Sequence, residues 1–382
     1  MYNIKLFIKL VINSFSLNRR SLRFCSFKRI IAVALFLPLF LITLIINWFF
    51  LLLDEILFPG YNKLEIRKAA FIIGVPRSAT TYLFNILFRD QQNFHGFKLW
   101  ELVLAPSICQ KYFFLFIRTA DRQIGHPVYK LTLFLDKIIF GKFVHIHEIG
   151  ITKPEEDEVL FLYNLSSMYL FYFWPEIKVL DNLFYHDLRL PEAVRIRNIN
   201  FYYSCIQRHN YVFDRYSKKY FLSKNPTFIP RMASIATKFE NAKIIYPLRT
   251  PYSTIPSTIS LNAHILSNFC KLPEEYPFIS ETRDFVLEWY IIAERTIRES
   301  VKERCIKVNF EQITNDPEGL LTDLYNFLEL DTGGQNLPSE KKQNKNSDYK
   351  SRHFYSKDLG IDRDLINERL KDIIPQEMLN QI

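Results

Sequence analysis

AAFIIGVPRSATTYLFNILFRD, residues 69 to 90, decides the fold. Ala69–Ile73 is a short apolar run with two β-branched isoleucines, the pattern of a strand buried on both faces. Gly74-Val75-Pro76-Arg77-Ser78 breaks it with a glycine, a proline and a cation. Leu83, Ile86 and Leu87 then recur at helical spacing, with Ser78 and Thr80 as candidate N-caps. Strand, tight loop and helix N-terminus in that order aim backbone N–H groups and a helix dipole at one point, which suits a phosphate. Arg77 adds a fixed cation there, and Thr80 and Thr81 add hydroxyl donors. An arginine decorating an ordinary strand–helix crossover is the plainer alternative.

The loop is not a Walker A motif. That motif needs a second glycine and a lysine where this chain has Ala79 and Thr80. Without that lysine, and with no evident magnesium-binding acidic strand, the chain is a poor NTPase candidate. The stretch instead resembles the 5′-phosphosulfate loop of the PAPS-dependent sulfotransferases, which reads close to G-x-P-[RK]-S-G-T-T. Gly74, Pro76, Arg77, Ser78, Thr80 and Thr81 match it, and Ala79 departs from it. Alanine tolerates positive φ less well than glycine, so an altered cofactor pocket is one implication.

A second match lies downstream. Lys219–Lys224 and Lys243–Leu248 are strand candidates, and the second runs into Arg249-Thr250-Pro251. Thr250 can cap a helix with Pro251 at its first position, which puts Arg249 at a strand's carboxyl end, where α/β sheets bind ligands. Arg249 and Ser257 fit R-x-P-x-x-x-x-x-S, which resembles the family's 3′-phosphate site. The resemblance implies an Arg249 bidentate to the 3′-phosphate and a hydroxyl donated by Ser257. An arginine salt-bridged at a strand end is the alternative, weakened by two matching sites in the right order. Phe285–Ile297 reads as a long amphipathic helix and Cys305–Phe310 as a strand. Asp316-Pro317 reads as a strong helix start. Tyr349–His353 resembles the late basic segment that folds over the nucleotide, which makes Lys350, Arg352 and His353 cofactor-binding candidates beside the reading of a solvated loop.

Sulfuryl transfer needs a base for the acceptor hydroxyl. The resemblance puts an acid after the first helix, and Glu101 beside Trp100 is the first choice; an ordinary surface glutamate is the alternative. Pro154-Glu155-Glu156-Asp157 looks like a helix start with acids favoured by the dipole. Membrane-linked sulfotransferases carry a similar stretch near the acceptor site, so Glu156 is the second choice, with Glu155 beside it. His145, His147 and Glu148 cluster, but capping and solvation explain that segment better than a metal, and no metal is expected.

The chain has 382 residues, 48% hydrophobic and 16% aromatic, enough for one large core. Net charge is +9, but Lys5, Lys9, Arg19, Arg20, Arg23, Lys28 and Arg29 precede residue 30 with no acid among them, leaving about +2 for the rest. Basicity therefore flanks a membrane segment and does not argue for nucleic acid. Five scattered cysteines give no zinc or disulfide spacing. Ile30–Leu53 is apolar apart from Thr43 and Asn47, long enough to span a bilayer, which needs about 20 residues. Pro38 within it and the basic N-terminal stretch leave a monotopic arrangement open, and the side of the membrane facing the catalytic domain is open too.

The expected fold is α/β, P-loop-like, with three layers and a mostly parallel central sheet behind an N-terminal membrane helix. Residues 1–56 would form the basic segment and anchor, and 57–382 the sulfotransferase domain. Because the core is expected to begin near Ala69, a chain lacking 1–56 would be expected to stay soluble. The resemblance, over about residues 57 to 370, implies transfer of a sulfuryl group from PAPS to a hydroxyl of a carbohydrate, lipid or other small acceptor. A membrane-anchored nucleotide-binding protein without catalysis, or a P-loop phosphotransferase, are the alternatives.

Overall fold

The structure, a computed structural model, describes residues 2–19, 21–141, 149–274, 276–331 and 362–380. Its centre is a five-stranded sheet: β1 Ala69–Ile72, β2 Phe94–His95, β3 Tyr220–Lys224, β4 Lys243–Leu248 and β5 Cys305–Asn309. The strands run in the order β2-β3-β1-β4-β5 and every pairing is parallel. Ile72 is in register with Lys224 and, on the other side, with Ile245.

Strand alternation divides the sheet residues between two cores. Ala70, Ile72, Leu222 and Ile245 join one cluster with Leu83, Phe84 and Leu87 of α3, Thr80–Arg89, and with Leu320, Leu321 and Leu324 of the helix Pro317–Phe327. Phe71, Phe221, Ile244 and Tyr246 join the larger cluster with the helices Glu192–Phe213, Pro251–Leu266 and Ile279–Thr296. Three layers result, with helices on both faces of a parallel sheet. The expected strands at 219–224, 243–248 and 305–310 form within a residue of their bounds. Asp316 caps its helix by accepting from Gly319 N, with Pro317 at the first position.

The N-terminal segment is part of this packing. Helix α1, Tyr2–Ile12, sends Phe7 and Leu10 into the larger core, and α2, Phe27–Leu57, sends Phe40. Ser26 caps α2 and the helix continues through Pro38. It is the one described helix long and apolar enough to cross a membrane. The short α4, Leu99–Val103, and the paired helices α5, Ile108–Gln123, and α6, Pro127–Phe140, follow β2. Asp54 at the end of α2 accepts from the first amides of α5, Ile108 N at 2.7 Å and Cys109 N at 3.0 Å. Arg208 meets the same carboxylate at 3.1 Å, and both side chains are buried.

Candidate active site

The loop between β1 and α3 is built from close contacts. A Cβ on Gly74 would lie 2.7 Å from Ser78 Oγ and 2.9 Å from Pro247 O, so only glycine lets the loop run this near β4. The Ser78 amide and hydroxyl both donate to Val75 O, at 3.3 and 2.8 Å. Arg77 and Ala79 take left-handed φ values of 70° and 67°, and this curl turns the chain into α3. Ala79 is the N-cap and supplies no side-chain bond. The expectation that Ser78 or Thr80 caps the helix is therefore corrected: Ser78 closes the turn onto Val75, and Thr80 is already the first helical residue. The leading amides of α3 have no partners within the helix, so its positive end faces the loop.

The downstream match closes onto this loop. Arg77 Nε donates to Ser257 Oγ at 2.9 Å, and Arg249 donates to the Arg77 carbonyl at 2.7 Å. The Arg249 guanidinium lies 4.2 Å from the Phe310 ring centroid. The Arg249 carbonyl accepts from the Tyr290 hydroxyl, whose proton is held firmly because burial pushes its pKa up. Thr250 begins the helix Pro251–Leu266 as its N-cap, with Pro251 at the first turn and no side-chain cap bond. Residues distant in sequence thus meet at the carboxyl edge of β1 and β4, at the centre of the sheet.

A third component comes from β3. Lys224, at its last position, is buried, and its ammonium lies 3.3 Å from Thr81 Oγ1 and 2.5 Å from Glu156 Oε1. The Tyr169 hydroxyl donates to the other Glu156 oxygen. Burial, then the Glu156 charge, raises the Tyr169 pKa well above its ordinary value, so it stays a donor. Lys224 went unnoticed in the sequence. A lysine ending an otherwise apolar strand, immediately before Asn225-Pro226, was the available signal.

Neighbouring carboxylates face elsewhere. Asp157 accepts from Tyr202, and burial raises its pKa to about 7. Glu158 is sealed against Arg231, with Met168 N at 2.7 Å and Thr227 Oγ1 at 2.8 Å also donating to it. Glu101 is buried at the start of α4, accepting from Lys98 N at 2.9 Å and lying 2.9 Å from His209 Nδ1. Burial opposes its charge, but His209 and Lys111 outweigh burial and lower its pKa. Beyond His209 stands His95, 3.0 Å away. Of the two, Glu156 is tied to the loop through Lys224 and Thr81, whereas Glu101 bonds Lys98 N and His209. Lys350, Arg352, His353 and the His145-His147-Glu148 cluster lie outside the described residues. Among the described residues no three His, Cys, Asp or Glu side chains group to hold a metal.

A glycine-dependent loop, two arginines and a lysine thus gather at the carboxyl edge of a parallel α/β sheet, the edge at which such sheets bind ligands. Residues 69–333 match the Sulfotransferase family, and the chain belongs to that family. It is 30% identical over 189 residues to the omega-hydroxy-beta-dihydromenaquinone-9 sulfotransferase Stf3 of Mycobacterium bovis and of Mycobacterium tuberculosis, across 48% of this chain. The match takes in 47% of Stf3, so the chain spans about half the length of the curated relatives it matches. The fold is shared with the crystal structure of sulfotransferase STF1 from Mycobacterium tuberculosis, with a TM-score of 0.66 and 15% identity over 97% of this chain and 91% of STF1. It is shared also with STF9 from Mycobacterium avium, with a TM-score of 0.62 and 15% identity over 85% and 80%.

Proposed function

We propose that the protein transfers a sulfuryl group from PAPS to a hydroxyl carried by a lipid or carbohydrate at a membrane. The observation that carries this is the bond from Arg77 to Ser257, which joins the two phosphate-site signatures into one cationic edge. The residues fit the co-substrate: Gly74 keeps the loop clear of a Cβ, and the α3 amides with Arg77, Ser78, Ala79, Thr80 and Thr81 suit its 5′ end. Arg249 and Ser257 suit its 3′-phosphate. PAPS supplies an activated sulfuryl group; the chain supplies charge, position and a proton acceptor.

In this reading Glu156 takes the acceptor proton as the acceptor oxygen bonds to sulfur and the sulfur–oxygen bond to the nucleotide phosphate breaks. Lys224 and Arg77 stabilise the negative charge on the sulfuryl and departing phosphate oxygens. The Lys224–Glu156–Tyr169 contacts beside Thr81 favour Glu156 over Glu101 as the base. Glu101, engaged with His209 and its own helix start, would hold the α4 region in place. The name of Stf3 identifies a lipid-borne hydroxyl as that relative's acceptor, which favours the lipid class here.

The test is turnover of radiolabelled PAPS against lipid and carbohydrate alcohols, with Glu156→Gln and Glu101→Gln compared. Glu156→Gln is expected to lower turnover on the order of 100–10,000-fold with PAP affinity little changed. Glu101→Gln should act mainly on stability. Loss of turnover confined to Glu101→Gln in a folded protein would reverse the assignment. PAP binding without transfer to any acceptor would favour the non-catalytic nucleotide-binding alternative.

A further inference from the structure

The outward residues of α2 between Ile30 and Leu52 are apolar apart from Thr43, whose hydroxyl bonds back to the Leu39 carbonyl, with Leu35, Leu39, Ile42, Ile45, Phe49 and Leu52 all more than half exposed. The same helix is fastened to the catalytic domain from end to end. Lys28 donates to the Ser267 carbonyl, and Phe36 stacks on Phe173. Trp48 donates to Tyr163 O at 2.8 Å and Asn47 to Val103 O at 3.0 Å. Asp54 closes the far end on α5 and Arg208. A helix crossing a bilayer would carry its middle turns about 15 Å from either surface, where folded polar protein cannot follow. Crossing therefore means stripping the Phe36, Asn47 and Trp48 contacts from the middle of α2.

A second apolar surface adjoins the first. Helix α6 has no buried residue, and Leu131, Phe134 and Ile138 are each more than half exposed. It is joined to α2 through α5, where Gln110 donates to Asn47 Oδ1 at 2.7 Å. The acids of this hairpin are turned inward: Asp121 accepts from Val128 N at 2.7 Å, and Asp136 accepts from Ile151 N at 2.8 Å. Apart from the buried Lys111, its lysines and arginines, Arg118, Arg122, Lys130 and Lys137, are exposed, as are Lys5 and Lys9 beside Ile4 and Ile8 on α1. Apolar faces edged by cations, with carboxylates withdrawn, match one leaflet of a bilayer containing anionic lipid.

We propose that the protein is monotopic: α2 lies in the interface with its outer face in one leaflet, and the α5–α6 hairpin with α1 completes the same contact. The occupant is lipid, and both ends of α2 stay on one side. This arrangement does not depend on the reaction proposed above.

Topology is read in right-side-out and inside-out membrane vesicles carrying the full chain with Gly60→Cys. An impermeant maleimide is applied, and labelling is resolved by peptide mapping at Cys25, which is exposed before α2, and at position 60, which is exposed after it. The expected result is that both label in one vesicle orientation and neither in the other. Labelling in opposite orientations means that α2 spans and overturns the proposal, as does a mature chain lacking Cys25. In parallel, Phe134→Glu with Ile138→Glu should weaken partition of the purified chain onto phosphatidylglycerol–phosphatidylcholine vesicles at least tenfold, with PAP affinity unchanged. Unchanged partition removes α6 from the contact. A change in oligomeric state in place of partition identifies a second copy as the occupant and likewise overturns the proposal.

Discussion

Ala79 is where one residue departs from the pattern around it and the backbone records the departure. Its left-handed φ of 67° costs an L-residue roughly 1–2 kcal/mol, while glycine would give back about 0.5–1 kcal/mol through its freer unfolded chain. Ala79→Gly is therefore expected to raise the melting temperature by ~1–2 °C and to keep PAP affinity at least equal. A lower melting temperature would show that the Ala79 methyl group packs usefully against the neighbouring core. Arg249 tests the opposite end of the site. Arg249→Ala should weaken binding of a 3′-phosphorylated nucleotide by about 1.5–3 kcal/mol, roughly 10- to 150-fold, beyond its effect on the analogue lacking that phosphate. Since Arg249 also holds the Arg77 carbonyl, both ligands should lose some affinity; equal losses would assign it to bracing the loop alone. Arg77, Arg249 and Ser257 were legible because motif spacing and strand ends mark them. Lys224 was not, because its role depends on which strand lies beside β1, and periodicity within one segment carries no information about strand order.

At the scale of elements, the segment Glu156-Asp157-Glu158 shows why composition could not choose among carboxylates. Asp157 and Glu158 belong to a 3-10 turn, in which successive side chains point about 120° apart. Consecutive acids therefore meet three different partners: Lys224 for Glu156, Tyr202 for Asp157 and Arg231 for Glu158. Only the packed sheet and its helices supply those partners. The two-residue strand β2 escaped for a similar reason, since Phe94–His95 is too short to show alternation and exists by pairing with Tyr220 and Phe221. The turn also carries a pH dependence. Burial raises the Asp157 carboxyl to about 7 in the fold, against roughly 3.9 when unfolded. A folded pKa above the unfolded value means that its favourable contribution is complete below about pH 4 and is lost as pH rises towards 7. Relative to wild type, Asp157→Asn should therefore gain stability progressively between pH 4.5 and 7.5, by an amount on the order of a few kcal/mol. A stability difference that stays constant across those pH values would show that Asp157 is ionised in the fold throughout.

Over the whole molecule, the parallel sheet and its three layers follow from apolar strands alternating with periodic helices, all visible in the chain. The standing of the first 56 residues does not. Their apolar run looks like a detachable anchor, because hydropathy reports how apolar a helix is and not which side is packed. In the fold, Phe7 meets Trp174 edge to face at 5.4 Å, and the Trp174 indole donates to Ser14 Oγ at 2.8 Å. Arg208 depends on this segment for Asp54, Glu55 and the Leu51 carbonyl. Removing one partner of a buried ion pair costs about 3–5 kcal/mol, and here the α5 amides of Ile108 and Cys109 lose their acceptor as well. A total stability of about 5–15 kcal/mol leaves little after that loss and the exposure of Trp174 and Phe173. Deleting residues 1–56 is therefore expected to give an aggregated or unfolded chain, contrary to the sequence-based expectation of a soluble domain. Asp54→Asn in the full-length protein should reproduce about 3–5 kcal/mol of that destabilisation while leaving the membrane-facing surface intact. Denaturant titration in detergent of the Asp54→Asn protein, with PAP binding to the truncated chain, decides the point. A truncated chain that binds PAP with wild-type affinity and unfolds cooperatively would show that the catalytic fold closes without α1 and α2.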